Sequence, residues 1–177
     1  RSQGNERPLL KLDYDYIICA SAFRSVKRHD ILLEAYKKSG LDIKLVLMCK
    51  PFDGLNKLIE KLDLKDKVTI LGFQKNPYPY IKNAKFLVLS SEREGLPTVL
   101  VESLILGTPI VSTNCISGPS EILTDNLSKY LSKVNDSSDL AKKMNNAYVD
   151  NVLVKSEIIE KFSEDNIISK YLDLIKE

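Results

Sequence analysis

Blocks of apolar residues alternate with stretches of helical periodicity along most of the chain. The blocks are continuously apolar, which is typical of strands buried on both faces of a parallel sheet. Six strands are predicted, at Asp15–Ala22, Lys44–Cys49, Val68–Leu71, Lys85–Ser90, Pro109–Ser112 and Lys129–Ser132. The stretches between them space their apolar residues by three and four, as amphipathic helices do.

The predicted helices fill the gaps between these strands. They lie at His29–Ser39, Gly54–Leu62, Tyr78–Asn83, Pro97–Leu106, Ser120–Leu123, Ser137–Val149, Lys155–Phe162 and Glu164–Lys176. This alternation predicts an α/β fold, a doubly wound Rossmann-like parallel sheet with helices on both faces. Residues 1–13 are polar and lack periodicity, so we expect a linker or frayed end there and one domain over residues 14–177.

The order of the strands indicates where a ligand would bind. In a doubly wound sheet, ligands bind at the carboxyl ends of the strands, where the strand order reverses. If the first and fourth strands flank that reversal, two loops meet there, at residues 21–28 and 91–97. Both loops are therefore candidates for a binding site.

The second of these loops contains a Gly-Leu-Pro turn that leads into a helix. Pro97 fits the first helical position, where its missing N–H costs nothing. The amides of Gly95, Leu96 and Thr98 are then expected to point outward at the positive end of the helix dipole. Such a site binds anions, and phosphate is the usual one.

Two glutamates separated by seven residues flank this turn in the segment SEREGLPTVLVESLILGTP, residues 91–109. Glu94 would be repelled by a phosphate and is expected to point toward neutral hydroxyls, while Glu102 can bind a second set of hydroxyls. Hydroxyls on both sides of a diphosphate describe a nucleotide sugar. The alternative is a helix-capping Glu94 and a solvated Glu102. Against it, Glu102 is the sole charge on a helix expected to be mostly buried.

The loop after the first strand, SAFRSVKRHD, places three cations near the same cleft. Arg24, Lys27 and Arg28 could neutralise a diphosphate there. The alternative is that these cations belong to a solvated loop with no ligand. An anion site on the opposite side of the cleft favours diphosphate binding over that alternative. His29 is expected to cap or pack the following helix.

Composition excludes several other classes. The net charge of +2 is too small to indicate nucleic acid as a partner. Cys19, Cys49 and Cys115 lack metal-ligand spacing and fall in or beside apolar runs, which indicates reduced, buried thiols. No apolar run is long enough to cross a membrane and no signal peptide is recognisable, so a soluble chain is expected. Together with the reduced thiols, this favours a cytoplasmic location. G-x-G-x-x-G is absent after the first strand, as are the paired acids of a receiver domain.

Several of these segments together resemble one enzyme family. Their order along the chain resembles that of retaining group 1 (family 4) glycosyltransferases of the GT-B fold. In chain order the segments are FRSVKRHDILLEAY, EGLPTVLVESLILGTPIV, GPSEIL and FSEDNIISKYLDLIKE. The resemblance covers residues 15–177 and implies the nucleotide-sugar half of such an enzyme. It implies a nucleotide-diphosphate sugar as donor, no metal or other cofactor, and a role in bacterial surface polysaccharide biosynthesis.

The resemblance also implies a role for each matching residue. Glu94 would approach the donor sugar as the catalytic residue, and Glu102 would bind the ribose. Further roles are diphosphate binding by Arg24, Lys27, Gly95, Leu96 and Thr98, nucleobase lining by Gly72 and Phe73, and support of the cleft by Gly118, Pro119 and Glu121. Many family members have Gly-Arg where this chain has Ser21-Ala22, so Arg24 must serve instead.

Length sets this chain apart from a two-domain GT-B enzyme. Its 177 residues hold only the donor half, and the Arg1 start suits an excised domain. A saccharide or lipid-linked acceptor would bind to a missing N-terminal domain, and the full-length protein could work at the inner face of the membrane. Two rivals stay open, a stand-alone nucleotide- or phosphate-binding module and a non-catalytic interaction domain.

Overall fold

The fold is a six-stranded parallel sheet with helices in its crossovers. The structure, a computed structural model, describes residues 12–154 and residue 160. The strands are β1 (Tyr16–Cys19), β2 (Lys44–Leu47), β3 (Val68–Ile70), β4 (Leu87–Leu89), β5 (Ile110–Thr113) and β6 (Leu131–Ser132). The helices are α1 (His29–Ser39), α2 (Asp53–Lys61), α3 (Tyr78–Lys82), α4 (Thr98–Ile105), α5 (Pro119–Ile122) and α6 (Ser137–Asp150).

The strands are ordered β3-β2-β1-β4-β5-β6, with every pair parallel. The order therefore reverses between β1 and β4, as predicted, and the doubly wound Rossmann-like fold is confirmed. β1, β4 and β5 are buried at every position. This burial on both faces explains why their sequences are continuous apolar runs.

Helix α1 has the bounds that the sequence predicts. Its buried face includes Ile31, Leu32, Ala35 and Tyr36, and it packs chiefly against α6. Gly40 ends it with φ of 65°, a conformation that glycine adopts without steric cost. The apolar periodicity and the glycine after the last turn were together enough to predict both ends of this helix.

Two short 3₁₀ helices were not predicted, at Ser25–Lys27 and Asp125–Tyr130. The second replaces half of the strand predicted at Lys129–Ser132, because the Ser128 hydroxyl donates to the Asp125 carbonyl and Leu127 is buried under the turn. Only Leu131–Ser132 pairs with β5.

Some predictions lie wholly or largely outside the described residues. These are the helices at Lys155–Phe162, of which only residue 160 is described, as helical, and at Glu164–Lys176, together with most of the segment at residues 1–13. Over the part of the chain that is described, no helix combines the length and apolar character needed to cross a bilayer.

Candidate functional site

Two cavities adjoin at the carboxyl ends of the strands, where the strand order reverses. The first, which we call the aromatic cavity, has a volume of about 800 Å³ and is lined by Phe23, Phe52, Phe73 and Glu102 among others. The second, the turn cavity, measures about 660 Å³ and is lined by the basic loop and residues 93–99. Both cavities share four lining residues, Ala20, Ser21, Ala22 and Val99. One elongated ligand could therefore occupy both.

Glu94 is held in a fixed position at the turn cavity. The Nζ of Lys27 lies 2.7 Å from each carboxylate oxygen, and the Ser91 hydroxyl donates to Oε1 over 2.5 Å. The side chain of Glu94 is only 8% exposed and that of Lys27 is 20% exposed. The predicted diphosphate ligand Lys27 and the predicted sugar ligand Glu94 thus form an ion pair with each other.

Buried hydroxyls tie together the two loops that carry this pair. Ser90 Oγ lies 2.7 Å from the Lys27 carbonyl and 3.0 Å from the Arg28 carbonyl. Thr113 donates its hydroxyl to the Ser91 carbonyl over 2.6 Å. The backbone of Glu92 also donates to the Val26 carbonyl. Because buried polar groups need partners, these contacts hold the basic loop and the 91–97 loop in one arrangement.

The Gly-Leu-Pro turn differs in detail from the prediction. Pro97 precedes α4 instead of occupying its first position, and its φ of −77° and ψ of 76° form an inverse γ-turn. The Thr98 amide donates to the Leu96 carbonyl across this turn, over 2.9 Å. The prediction that this amide points outward is therefore wrong. The amides of Gly95 and Leu96 have no acceptor among the described residues.

Gly118 supports this turn from behind. A Cβ added to Gly118 would lie 2.4 Å from the Pro97 ring, and its φ of 98° is one that side chains rarely adopt. The Glu121 carboxylate accepts a hydrogen bond from the Gly118 amide. Only glycine at this position lets α5 pack so closely against the turn.

Glu102 lies on α4 and lines the aromatic cavity. Its carboxylate has no hydrogen-bond or ion-pair partner among the described residues. The expectation that α4 is mostly buried is wrong, because Leu100 and Leu104 are buried but Ile105 is 49% exposed. The face that carries Glu102 and Val99 borders the cavity. The carboxylate is thus available to a ligand and is not enclosed by protein.

Phe23 and Phe52, which the sequence analysis did not single out, form walls of this cavity together with the predicted Phe73. The rings of Phe23 and Phe52 are 3.6 Å apart between centroids, and Phe73 is 85% exposed. Gly72, predicted with Phe73 to line the nucleobase, is not among the residues that line this cavity. With φ of 74° it turns the chain after β3, and Phe73 and Gln74 form the wall. Phe52 follows the carboxyl end of β2, a position that the general rule for such sheets singles out.

The cations of the basic loop do not act as one group. Arg24 lines the turn cavity and is exposed. Arg28 instead forms a hydrogen-bonded ion pair with Asp30, which raises the pKa of Arg28. Its expected place facing the cleft is therefore wrong. His29 is buried at the start of α1, as predicted, and burial lowers its pKa to about 4, so it is neutral at pH 7.

The three cysteines are free and buried, as predicted. Burial raises the pKa of the Cys19 thiol to about 12, so this thiol stays protonated and unreactive at pH 7. Within residues 12–154 no group of three His, Cys, Asp or Glu side chains is arranged to hold a metal ion.

Comparison with known structures supports the fold. A mutant of Staphylococcus aureus TarM, in complex with fondaparinux, alpha-GlcNAc-glycerol and UDP, superposes with a TM-score of 0.79 at 25% identity, covering 93% of this chain and 36% of that one. The apo form of the lipopolysaccharide outer core galactosyltransferase WaaB superposes with a TM-score of 0.81 at 20% identity, covering 92% of this chain and 49% of WaaB. The fold is thus the one found in GT-B glycosyltransferases.

Sequence comparison points to the same enzymes. An N-acetylgalactosaminyltransferase of Campylobacter jejuni that acts on N-acetylgalactosamine-N,N'-diacetylbacillosaminyl-diphospho-undecaprenol is 29% identical over 168 residues, 89% of this chain and 46% of that protein. The poly(ribitol-phosphate) alpha-N-acetylglucosaminyltransferase of Staphylococcus aureus is 30% identical over 69% of this chain and 26% of that protein. This chain thus spans less than half the length of these relatives. The sequence model of the family described as glycosyl transferases group 1 matches residues 3–165. The chain therefore belongs to the group 1 glycosyltransferases.

Proposed function

We propose that this chain is the donor-binding domain of a glycosyltransferase that moves a sugar from a nucleotide-diphosphate sugar to an acceptor with retention. The observation that carries the proposal is the pair of adjoining cavities at the strand-order reversal, each with one glutamate. One cavity is aromatic and the other is bordered by cations and free amides. This sequence of environments matches a nucleoside, a diphosphate and a sugar in that order.

The nucleoside would occupy the aromatic cavity. Exposed Phe73 offers a face on which a base can stack, and Phe52 and Phe23 supply a second apolar surface. Glu102 would accept hydrogen bonds from the ribose hydroxyls. Binding would supply partners to a carboxylate that has none among the described residues.

The diphosphate would occupy the turn cavity. Lys27, Arg24 and the amides of Gly95 and Leu96 border it, and these amides have no acceptor in the part of the chain that the structure describes. Thr98 would add its amide if the γ-turn opens. Charge develops on the leaving diphosphate in the transition state, and these groups would stabilise it there. Lys27 would then be shared between the diphosphate and Glu94.

Glu94 would contact the donor sugar as the catalytic residue. Its carboxylate is oriented by Lys27 and Ser91, so it would not need to reorganise when the sugar arrives. Because the cations and amides would offset the charge of the diphosphate, we propose that transfer needs no metal. Activity that survives EDTA would support this, and loss of activity that Mg²⁺ restores would contradict it.

The acceptor would be bound by a further, N-terminal domain, and closure of the two domains would exclude water. We propose a saccharide or lipid-linked acceptor in bacterial surface polysaccharide biosynthesis, and a cytoplasmic site of action at or near the membrane. The relatives support this class, because one acts on a diphospho-undecaprenol-linked saccharide and another on poly(ribitol-phosphate).

Two measurements test the proposal. Thermal-shift screening against UDP, GDP, ADP and their sugars should identify one preferred base, since a ligand at 100 times its Kd stabilises by about 2.7 kcal/mol. A transfer assay should then show no transfer by the 177-residue chain and transfer when it is joined to an N-terminal domain. Failure of every nucleotide to bind would favour an interaction domain, and transfer by the chain alone would contradict its being half of an enzyme.

A further inference from the structure

A serine lies where the two cavities meet, and its hydroxyl has no role in the site described so far. Ser21 is one of the four residues that line both the aromatic cavity and the turn cavity. It follows the carboxyl end of β1. Its Oγ lies 3.3 Å from Nε2 of His29 and 3.5 Å from the Cys19 sulfur. The direction of the serine proton depends on how these two neighbours are protonated.

The surroundings of His29 decide its tautomer. The residue is 3% exposed, and its Nδ1 is buried without a partner among the described residues. A buried N–H group without an acceptor is rare, whereas an unpaired acceptor is better tolerated. This favours the neutral imidazole with its proton on Nε2 and with Nδ1 as the atom without a partner among the described residues. In that tautomer Nε2–H donates to Ser21 Oγ.

This donation leaves the hydrogen of Ser21 for another acceptor. Among the described residues, only the Cys19 sulfur is then within reach as an acceptor. A protonated thiol is a weak acceptor, and a phosphate oxygen is a far stronger one. A ligand that spans the two cavities would bring such an oxygen to the junction.

We propose that Ser21 is a ligand-binding residue, whose hydroxyl donates a hydrogen bond to a phosphate oxygen of the nucleotide where the two cavities meet. His29 is its positioning residue, because it occupies a lone pair of the serine oxygen and so directs the hydrogen away from itself. The inference rests on the proposed nucleotide-sugar site. It adds a neutral donor to the turn cavity, which Lys27 also lines.

The tautomer can be tested in the ligand-free protein. The chain contains a single histidine, so its ¹⁵N imidazole signals can be assigned without ambiguity. At pH 7 we expect Nε2 to be protonated and Nδ1 to have the shift of a bare nitrogen. A proton on Nδ1 would overturn the proposal, because Ser21 would then donate to His29 and have no hydrogen for the ligand.

The ligand contact can be tested by calorimetry on the 177-residue chain with UDP, GDP, ADP and the corresponding nucleosides. Ser21→Ala should weaken binding of the preferred diphosphate about tenfold or more, as expected for a hydrogen bond to a charged group. Affinity for the nucleoside should stay within about twofold, and Ser21→Thr should restore the loss. Ser25→Ala is the matched control, since it removes an exposed hydroxyl from the same loop outside both cavities.

Equal affinities of wild type and Ser21→Ala for the diphosphate would overturn the role of Ser21 while leaving the proposed function intact. Equal losses for diphosphate and nucleoside would also overturn it, because the effect would then be structural. If the wild type binds none of the nucleotides, the proposed function fails and the inference fails with it.

Discussion

The carboxylate of Glu94 accepts hydrogen bonds from Lys27 and Ser91, whereas that of Glu102 has no partner among the described residues. The two glutamates are close in sequence and border neighbouring cavities. One is organised by the protein before any ligand arrives, and the other is left for a ligand to satisfy. A fixed group costs little reorganisation when it acts, and an unpaired group gains most when it binds. The contrast predicts different consequences for stability and for affinity.

The largest effect is expected on stability, at Gly118, which packs behind the turn that follows Glu94. Gly118→Ala places a methyl group against the Pro97 ring in a positive-φ conformation. Strain and overpacking together should lower the free energy of unfolding by about 2–5 kcal/mol, as measured by urea denaturation. Gly95→Ala is the control, because a methyl there meets nothing within 4 Å. Equal stability of the two variants would show that Gly118 does not brace the turn.

The next effect concerns affinity on the Glu102 side. Glu102→Ala should weaken nucleotide binding by about 1.5–3 kcal/mol, the range for hydrogen bonds to a charged group. Stability in the absence of ligand should change little, since no protein partner is lost. Replacing the ribonucleotide by its deoxyribose analogue should cost little more in this variant. Unchanged affinity, measured by calorimetry, would remove the ribose role.

Lys27→Ala should separate phosphate binding from structural damage. It removes a cation from the turn cavity and leaves Glu94 without its ion pair. Binding of the nucleoside diphosphate should weaken by about 1.5 kcal/mol more than binding of the nucleoside. If titrations of both ligands show the same loss, Lys27 acts only through the position of Glu94.

The smallest effect tests the contrast directly by comparing stabilities without ligand. Glu94→Ala should lower the free energy of unfolding by about 1 kcal/mol, because Lys27 is partly exposed and keeps access to water. Glu102→Ala should leave it unchanged within error. A larger loss for Glu102→Ala would mean that its carboxylate supports the fold after all.

Most of the fold and part of the candidate site could be predicted from local sequence patterns. The periodicity of α1 and its terminal Gly40 gave the bounds of that helix, and continuous apolar runs predicted a parallel sheet. The general rule for doubly wound sheets then predicts that the loops of Lys27 and Glu94 meet where the strand order reverses. These inferences need only the chain itself and the physics of burial.

Contacts between residues that are distant in sequence could not be predicted from local patterns. Lys27 and Glu94 are 67 residues apart, and their ion pair depends on the packing of two loops. The sequence predicted a mostly buried helix around Glu102, because an apolar helix that borders a ligand cavity has the same pattern as one that packs in a protein core. The stacking of Phe23 on Phe52 joins loops after different strands, so no local pattern predicts it.

The hydroxyl of Ser90 has a consequence for engineering. It joins the end of β4 to the carbonyls of Lys27 and Arg28, so the two loops share one anchor inside the protein. If only one of the two loops were exchanged for that of a relative, the hydroxyl at position 90 and the loop that it binds would come from different proteins. Chimaeras meant to alter donor preference should therefore transplant residues 21–28 and 90–97 as a single cassette.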